Sequence, residues 1–283
     1  MRFGLNMPNF AEFADPATIV GLARDAEAAG WDGFFVWDHI NLFGEEPVPL
    51  ADPWILLAAV AQVTHKIAIG TMVTPVPRRR PWVLARQTAT LDRLSGGRLI
   101  LGVGLGFPAD TEFEAFGEDP DIRVRAQKLD EGLAILAGLW SGETFEFRGR
   151  HFQVRRTRFL PTPIQQPRIP VWVAGTWNKE GPLRRAAAWD GYFPLKMGPD
   201  GNDGEPITPD EIATVRTRLE PMRNGRSIDL VVVEEIVDAN PTDLDRLRAF
   251  DAAGATWYML GLSTRRLDLA ALVDRVRQGP PQI

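Results

Sequence analysis

An aspartate and a histidine stand side by side after the second apolar run of the chain, in Trp37-Asp38-His39. An imidazole titrates near neutral pH and can donate or accept a proton, so His39 is the candidate catalytic residue. Asp38 could hold a ligand or the imidazole by hydrogen bonds, or it could only cap the turn that follows a strand. The pair therefore predicts proton-transfer chemistry at the end of a strand.

Three further strand ends carry residues that could receive a flat ring with an anionic tail. They read Met72-Val73-Thr74-Pro75, Gly102-Val103-Gly104-Leu105-Gly106 and Ala174-Gly175-Thr176-Trp177. The glycine run lacks the spacing of a dinucleotide-binding fingerprint, but small residues there would let a ring lie against the strand. A helix begins near Lys179, and its free N–H groups together with Thr176 would suit a phosphate. A plain glycine turn is the alternative.

The elements that must position these residues alternate between buried strands and helices along nearly the whole chain. Pro16–Ala29 is predicted as a helix with Asp15 as its N-cap, and Pro53–Val63 and Pro81–Leu94 are predicted as the next two helices. Eight βα units predict a closed (β/α)8 TIM barrel, with residues 1–283 as a single domain. An open doubly wound sheet of eight strands is the alternative. In a barrel the loops after the strands build the active site, so the four strand ends should converge.

Two insertions interrupt this alternation. Thr144–Phe147 and His151–Val154 are predicted to form a β-hairpin after strand four. Residues 197–207, rich in Gly, Asp and Pro, follow strand six and are predicted as a lid over the mouth or as a plain surface loop. The helix after them is predicted over Pro209–Arg223.

Composition and charge exclude several classes of protein. The net charge of −5 argues against broad affinity for nucleic acid or anionic lipid, and no stretch has the about 18 uncharged apolar residues of a membrane span. The chain has no cysteine, and its three histidines lack metal-ligand spacing, so we expect neither a disulfide nor a metal site. A cytoplasmic protein acting on a small molecule is the resulting expectation.

Arg78–Arg80 is predicted as a solvated loop, with attraction of an anionic cofactor tail as the alternative.

The run from Arg86 to Leu99, RQTATLDRLSGGRL, followed by Gly102-Val103-Gly104, resembles the signature of the bacterial luciferase-like monooxygenase superfamily. Five further segments match the pattern of that family, and the resemblance spans nearly the whole chain. They are Gly30–Gly33, Asp38-His39, Asp52-Pro53, Ala188–Gly191 and Gly254–Thr256.

The resemblance implies a (β/α)8 barrel that binds either FMN or the deazaflavin coenzyme F420. Asp38-His39 with Thr74-Pro75-Val76 is similar to the F420-using branch, in which the corresponding histidine lies near the deazaflavin ring and takes part in proton transfer. The family commonly has a non-proline cis peptide at strand three, and the matching bond is Met72–Val73. The resemblance thus implies the following cofactor-binding residues: Asp38, Met72, Val73, Thr74, Gly104, Leu105, Ala174, Gly175 and Thr176.

Three functions are compatible with this resemblance. Hydride transfer between F420 and a small, apolar organic substrate is favoured. An FMN monooxygenase that works with a separate flavin reductase and a non-catalytic flavin-binding protein are the alternatives. Members of the family often pair, so we expect a homodimer, with Ala58–Ala61 on the second helix as a candidate contact.

One departure from the family concerns the substrate. Its F420-dependent glucose-6-phosphate dehydrogenases have a glutamate after strand four that works with the histidine, whereas Gly104–Phe107 contains no carboxylate. Phe107 predicts a more apolar pocket instead. Glu112 and Glu114, which follow closely, are predicted as solvated helix positions.

Overall fold

The computed structural model describes residues 1–41, 47–197, 205–235, 243–261 and 269–283. All strands except β5 and β6 form one closed parallel barrel, in which β1 pairs with β2 on one side and with β10 on the other. The prediction of a (β/α)8 barrel is confirmed, and the open-sheet alternative is wrong because the first and last strands pair. The strands are β1 (Arg2–Met7), β2 (Gly33–Val36), β3 (Ala68–Pro75), β4 (Leu99–Gly104), β5 (Phe145–Arg148), β6 (Gln153–Thr157), β7 (Val171–Thr176), β8 (Gly191–Leu195), β9 (Asp229–Glu235) and β10 (Trp257–Gly261).

The helices begin and end close to where the sequence predicts them. The first three have the predicted bounds, and Asp15 and Asp52 accept hydrogen bonds from the N–H groups of the first turns of α1 and α2. The seventh ends at Leu219, earlier than predicted, because Pro221 has no N–H to continue it. The helices are α1 (Pro16–Ala29), α2 (Pro53–Val63), α3 (Pro81–Leu94), α4 (Ala109–Glu112), α5 (Ile122–Trp140), α6 (Glu180–Ala188), α7 (Pro209–Leu219), α8 (Leu244–Ala253) and α9 (Leu269–Arg277).

The barrel interior has its own apolar cluster, separate from the side chains that pack between strands and helices. Phe35, Trp172 and Trp257 contact one another there, with ring centroids between 5.1 and 6.1 Å apart. Trp172 Nε1 donates to Asp229 at the start of β9, and Arg2 pairs with the same carboxylate. These contacts close the barrel near the amino-terminal ends of the strands, so a ligand must enter at the opposite mouth.

The first insertion is a β-hairpin, as predicted, formed by β5 and β6. Glu131 of α5 accepts hydrogen bonds from three N–H groups of the hairpin turn, those of residues 150–152, and so fixes the hairpin to the barrel. Of the second insertion, residues 198–204 lie outside the described ranges, while Ile207 at its end is buried. None of the helices in the described ranges combines the length and apolarity needed to cross a membrane.

Candidate active site at the barrel mouth

The four strand ends that carry the predicted site are neighbours in the barrel. β2, β3, β4 and β7 are consecutive in the closed sheet. Parallel strands present their carboxyl ends at one face, so the segments after these strands lie along one side of the mouth. The structure thus brings together Asp38-His39, Met72–Thr74, Gly104-Leu105 and Ala174–Thr176.

Asp38 is the centre of a buried polar cluster. The residue is 3% exposed, and its side chain accepts a hydrogen bond of 2.8 Å from Thr74 Oγ1. Two arginines also donate to this carboxylate, Arg78 Nη2 at 2.8 Å and Arg79 Nη2 at 2.6 Å. Asp38 therefore joins the end of β2 to the end of β3 and to the turn that follows it.

The two arginines contradict the prediction of a solvated loop at Arg78–Arg80. The side chains of Arg78 and Arg79 are largely buried, and only Arg80 is exposed. Burial lowers the pKa of Arg78 to about 10, although the neighbouring Asp38 carboxylate opposes this shift. Arg78 and Arg79 neutralise the buried carboxylate of Asp38. The pairing was not predicted because Asp38 is distant in sequence and approaches the two arginines only in the folded chain.

His39 is held by a carboxylate that the sequence analysis placed in solvent. Glu112 of α4 is 1% exposed, and its Oε1 lies 3.0 Å from His39 Nδ1. The same carboxylate accepts hydrogen bonds from the N–H groups of Ile40 and Asn41 and is ion-paired with Arg78. Glu112 therefore orients the imidazole and binds the backbone beside it.

The prediction of solvated positions is wrong for Glu112, whereas Glu114 is exposed as expected. The conclusion that no carboxylate follows strand four beside the histidine is also wrong, because α4 turns back toward the mouth. The available signal was a short acidic segment after the fourth strand. The spacing of acidic and apolar residues in this segment does not indicate whether Glu112 or Glu114 faces the protein interior.

Asn9 also supports His39, and the sequence analysis missed it. It is fully buried, and its Nδ2 donates to the carbonyl oxygens of His39 at 2.9 Å and Ala51 at 2.7 Å. A polar residue just after the first strand was the signal, since functional groups concentrate at such positions in barrels. Asn9 thus binds the backbone of His39, while Glu112 binds its imidazole and the two N–H groups that follow.

The end of β3 has an irregular backbone. The Met72–Val73 peptide is cis, as the family resemblance implied, and the pairing of β3 with β4 shifts register between Thr71 and Thr74. A Cβ at Gly104 would lie 2.7 Å from Val73 Cγ2. Glycine at this position therefore leaves room for the Val73 side chain, where the sequence analysis expected room for a ring.

The end of β7 borders a cavity of about 400 Å³. Thr176, Lys179 and Lys196 line it, together with Trp177, Asn178, Met197 and Glu205. Lys196 is paired with Glu211 at 2.9 Å, whereas Lys179 makes no ion pair within the described ranges. Gly175 does not line the cavity, since a Cβ there would meet Pro182 at 2.4 Å, so its small size serves the packing of α6.

The residues at the mouth suit a flat ring with an anionic tail. Met72 and Ala174 are buried apolar residues of the barrel interior, with Val73 partly buried beside them. The cavity beside Thr176 is lined by Lys179 and Lys196, which would attract a negative charge, and α6 begins directly after Lys179. Asn6 Oδ1 and Trp37 Nε1, at the ends of β1 and β2, are buried polar atoms without a partner in the described chain.

Comparison with known proteins identifies relatives of the whole chain. The sequence model of the family described as luciferase-like monooxygenase matches residues 1–205. An uncharacterized protein of Mycobacterium tuberculosis (strain ATCC 25618 / H37Rv) is 27% identical over 278 residues, which cover 92% of this chain and 89% of that protein. The F420-dependent glucose-6-phosphate dehydrogenase of Mycolicibacterium fortuitum is 31% identical over 231 residues, which cover 78% of this chain and 65% of that enzyme.

A solved structure shares the fold over almost its full length. It is an F420-dependent secondary alcohol dehydrogenase in complex with an F420-acetone adduct, with a TM-score of 0.77 and coverage of 98% of both chains. The two sequences are 18% identical, so this likeness shows the common barrel architecture alone.

Proposed function

Because the chain belongs to the luciferase-like monooxygenase family, we propose that it is a single-domain oxidoreductase. It binds coenzyme F420 at the barrel mouth and transfers a hydride between this cofactor and a small apolar organic substrate. The observation that carries the proposal is the placement of His39, whose side chain is 20% exposed and held by the buried Glu112 carboxylate. A histidine so oriented can exchange a proton with a bound substrate. The 31% identity to an F420-dependent dehydrogenase supports the choice of cofactor.

The residues of the chain would supply the proton and the orientation, while the bound cofactor would supply the hydride chemistry. The contact between His39 Nδ1 and Glu112 places the Nδ1 proton in a hydrogen bond to the carboxylate. The proton exchanged with the substrate would therefore be carried by Nε2. Asn9 and Glu112 would keep the ring in position during this transfer, because both bind the backbone at residues 39–41.

The cofactor contacts follow from the character of each strand end. Apolar residues would lie against the ring, and the residues after β7 would bind the phosphate together with Lys179. Asp38 and Thr74 would act by holding the ends of β2 and β3 together, because both are buried and hydrogen-bonded to each other. The ring contacts would be Met72, Val73, Leu105 and Ala174, and the phosphate contact would be Thr176. Gly104 and Gly175 would act indirectly, because their small size leaves room for Val73 and Pro182.

A homodimer through α2 is part of the proposal. Ile55 is 70% exposed, the highest value among the large apolar side chains of the described ranges, and Ala58 and Ala59 beside it are partly exposed. Ile55→Glu is expected to yield monomers by light scattering on a sizing column. Ile122→Glu, an exposed isoleucine on α5, is the matched control and should remain dimeric.

Titration of the purified protein with F420 and with FMN, followed by cofactor fluorescence, tests the cofactor assignment. We expect tight F420 binding and hydride transfer with small alcohols or carbonyl compounds. Tight FMN binding with negligible F420 binding would overturn the assignment in favour of a monooxygenase with a separate reductase. Binding without turnover, unchanged in His39→Ala, would indicate a non-catalytic flavin-binding protein.

A further inference from the structure

Asn6, at the carboxyl end of β1, carries a buried polar atom without a partner. Phe3, Leu5 and Met7 belong to the cluster between strands and helices, so by the alternation of the strand Asn6 projects into the barrel. The residue is 4% exposed, and its Oδ1 has no hydrogen-bond partner in the described part of the chain. Buried acceptors of this kind are rare, since leaving one unsatisfied destabilises the fold.

No group in the described ranges donates a hydrogen bond to Asn6 Oδ1. Asn6 is in register with Phe35 on β2 and with Gly261 on β10. The partly buried side chains that pack on the interior cluster are apolar as well: Ala68, Val73, Leu195 and Val233. An amide in such a position has a clear use only when a ligand enters the mouth and supplies the missing hydrogen bond.

A second unpartnered polar atom belongs to Trp37, which directly follows the neighbouring strand β2 and lies nearer the mouth. The backbone N–H of Trp37 donates to the carbonyl of Met7 at 2.8 Å, which places Trp37 beside the end of β1. Its Nε1 is buried and has no partner in the described chain. The ring of Trp37 also contacts that of His39, with centroids 5.9 Å apart. An unsatisfied acceptor and an unsatisfied donor thus lie on the same side of the mouth as the candidate catalytic histidine.

We propose that Asn6 and Trp37 bind the imide edge of the cofactor ring, where an N–H lies between two carbonyl groups. Asn6 accepts the hydrogen bond of the imide N–H, and Trp37 Nε1 donates to a carbonyl oxygen. A carboxamide presents a donor beside an acceptor, so Asn6 matches this edge whichever way its amide is turned. The inference rests on the proposed function, since it requires that a deazaflavin or flavin ring binds at the mouth.

The test compares two buried asparagines. Asn6 has no hydrogen-bond partner for its Oδ1 in the described chain, whereas the Nδ2 of Asn9 donates two hydrogen bonds. Asn6→Leu should raise the Tm of the cofactor-free protein by about 2–4 °C, because it removes an unsatisfied acceptor at nearly constant volume. The same variant should weaken cofactor binding about tenfold, the effect of one lost hydrogen bond. Asn9→Leu, the matched control, should lower the Tm because its amide donates to two carbonyl groups.

Binding is measured by fluorescence titration with F420 and FMN, and Asn6→Ala repeats the binding measurement if Asn6→Leu does not fold. Trp37→Phe keeps the ring, removes its donor and should also weaken binding. Unchanged affinity in the Asn6 variants, or a fall in the Tm of Asn6→Leu, would overturn the inference. If the wild-type protein binds neither cofactor, the proposed function fails; if it binds one and the Asn6 variants bind equally well, only this inference fails.

Discussion

Glu112→Gln tests the central contact of the site. The substitution keeps the volume of the side chain and an acceptor for the N–H groups of Ile40 and Asn41, but it removes the charge opposite Arg78. Breaking a buried ion pair by removing one partner costs about 3–5 kcal/mol. Arg78 keeps its second partner, Asp38, so we expect the lower end, about 3 kcal/mol, and a fall in Tm of about 6–12 °C.

The second effect of Glu112→Gln concerns the protonation pattern of His39. The carboxylate can only accept a hydrogen bond, so neutral His39 carries its proton on Nδ1, whereas glutamine can accept or donate and permits both tautomers. The chain has three histidines, so nitrogen NMR of the imidazoles resolves them individually. We expect a mixture of tautomers at His39 and a fall in kcat of about 10²–10⁴, the range of a general acid or base.

Glu131→Gln is the matched control, because Glu131 is also a carboxylate that binds backbone N–H groups, in its case three at the hairpin turn. It should lower the Tm without changing the tautomer of His39 or the turnover. The reasoning would be refuted if Glu112→Gln kept the wild-type tautomer and kcat, or if Glu131→Gln altered them as strongly.

Three further substitutions and one control test the fold of the barrel. Asp38→Asn should lower the free energy of unfolding, measured by urea denaturation, by about 3–5 kcal/mol because two buried arginines lose a shared carboxylate; a change below about 1 kcal/mol would contradict this. Burial opposes ionisation of Glu27, but three backbone N–H groups hold its pKa below the ordinary 4.5. The contribution of the Glu27 carboxylate to stability is therefore complete above pH 4.5 and is lost as the pH falls through the lowered pKa. The free energy of unfolding should thus decrease less between pH 7 and pH 3 in Glu27→Gln than in the wild type. Gly102→Ala should prevent normal folding, judged by circular dichroism, since its Cβ would lie 2.1 Å from a carbonyl oxygen of β3. Gly21→Ala, with open space at its Cβ, should fold normally.

The bounds of the first helices could be predicted because their signals are local. Asp15 and Asp52 each precede a proline, and both cap the helix that follows through N–H groups two and three residues away. The position of His39 at a strand end could be predicted for the same reason. The helix predicted to reach Arg223 ended early because Pro221 breaks it, a local signal that the prediction did not apply.

The partners of the site residues could not be predicted in this way. His39 and Glu112 are 73 residues apart, and the two guanidinium groups that meet Asp38 follow it by 40 and 41 residues. An exposed acidic helix and a helix with one buried acid have the same local composition, so nothing near Glu112 distinguishes them. The burial of Glu112 depends on how α4 turns back over the mouth after β4.

The amino-acid sequence by itself determined the order of strands and helices and the strand ends at which chemistry is placed, because apolar periodicity and helix caps act over a few residues. Closure of the barrel depends on the long-range pairing of β1 with β10, which the structure shows. Only the tertiary structure decided which charges are buried and paired, and which polar atoms, such as Asn6 Oδ1, remain without a partner in the described chain. The physical reason is that the cost of burying a charge or an amide depends on every group packed around it, and those groups come from distant parts of the chain.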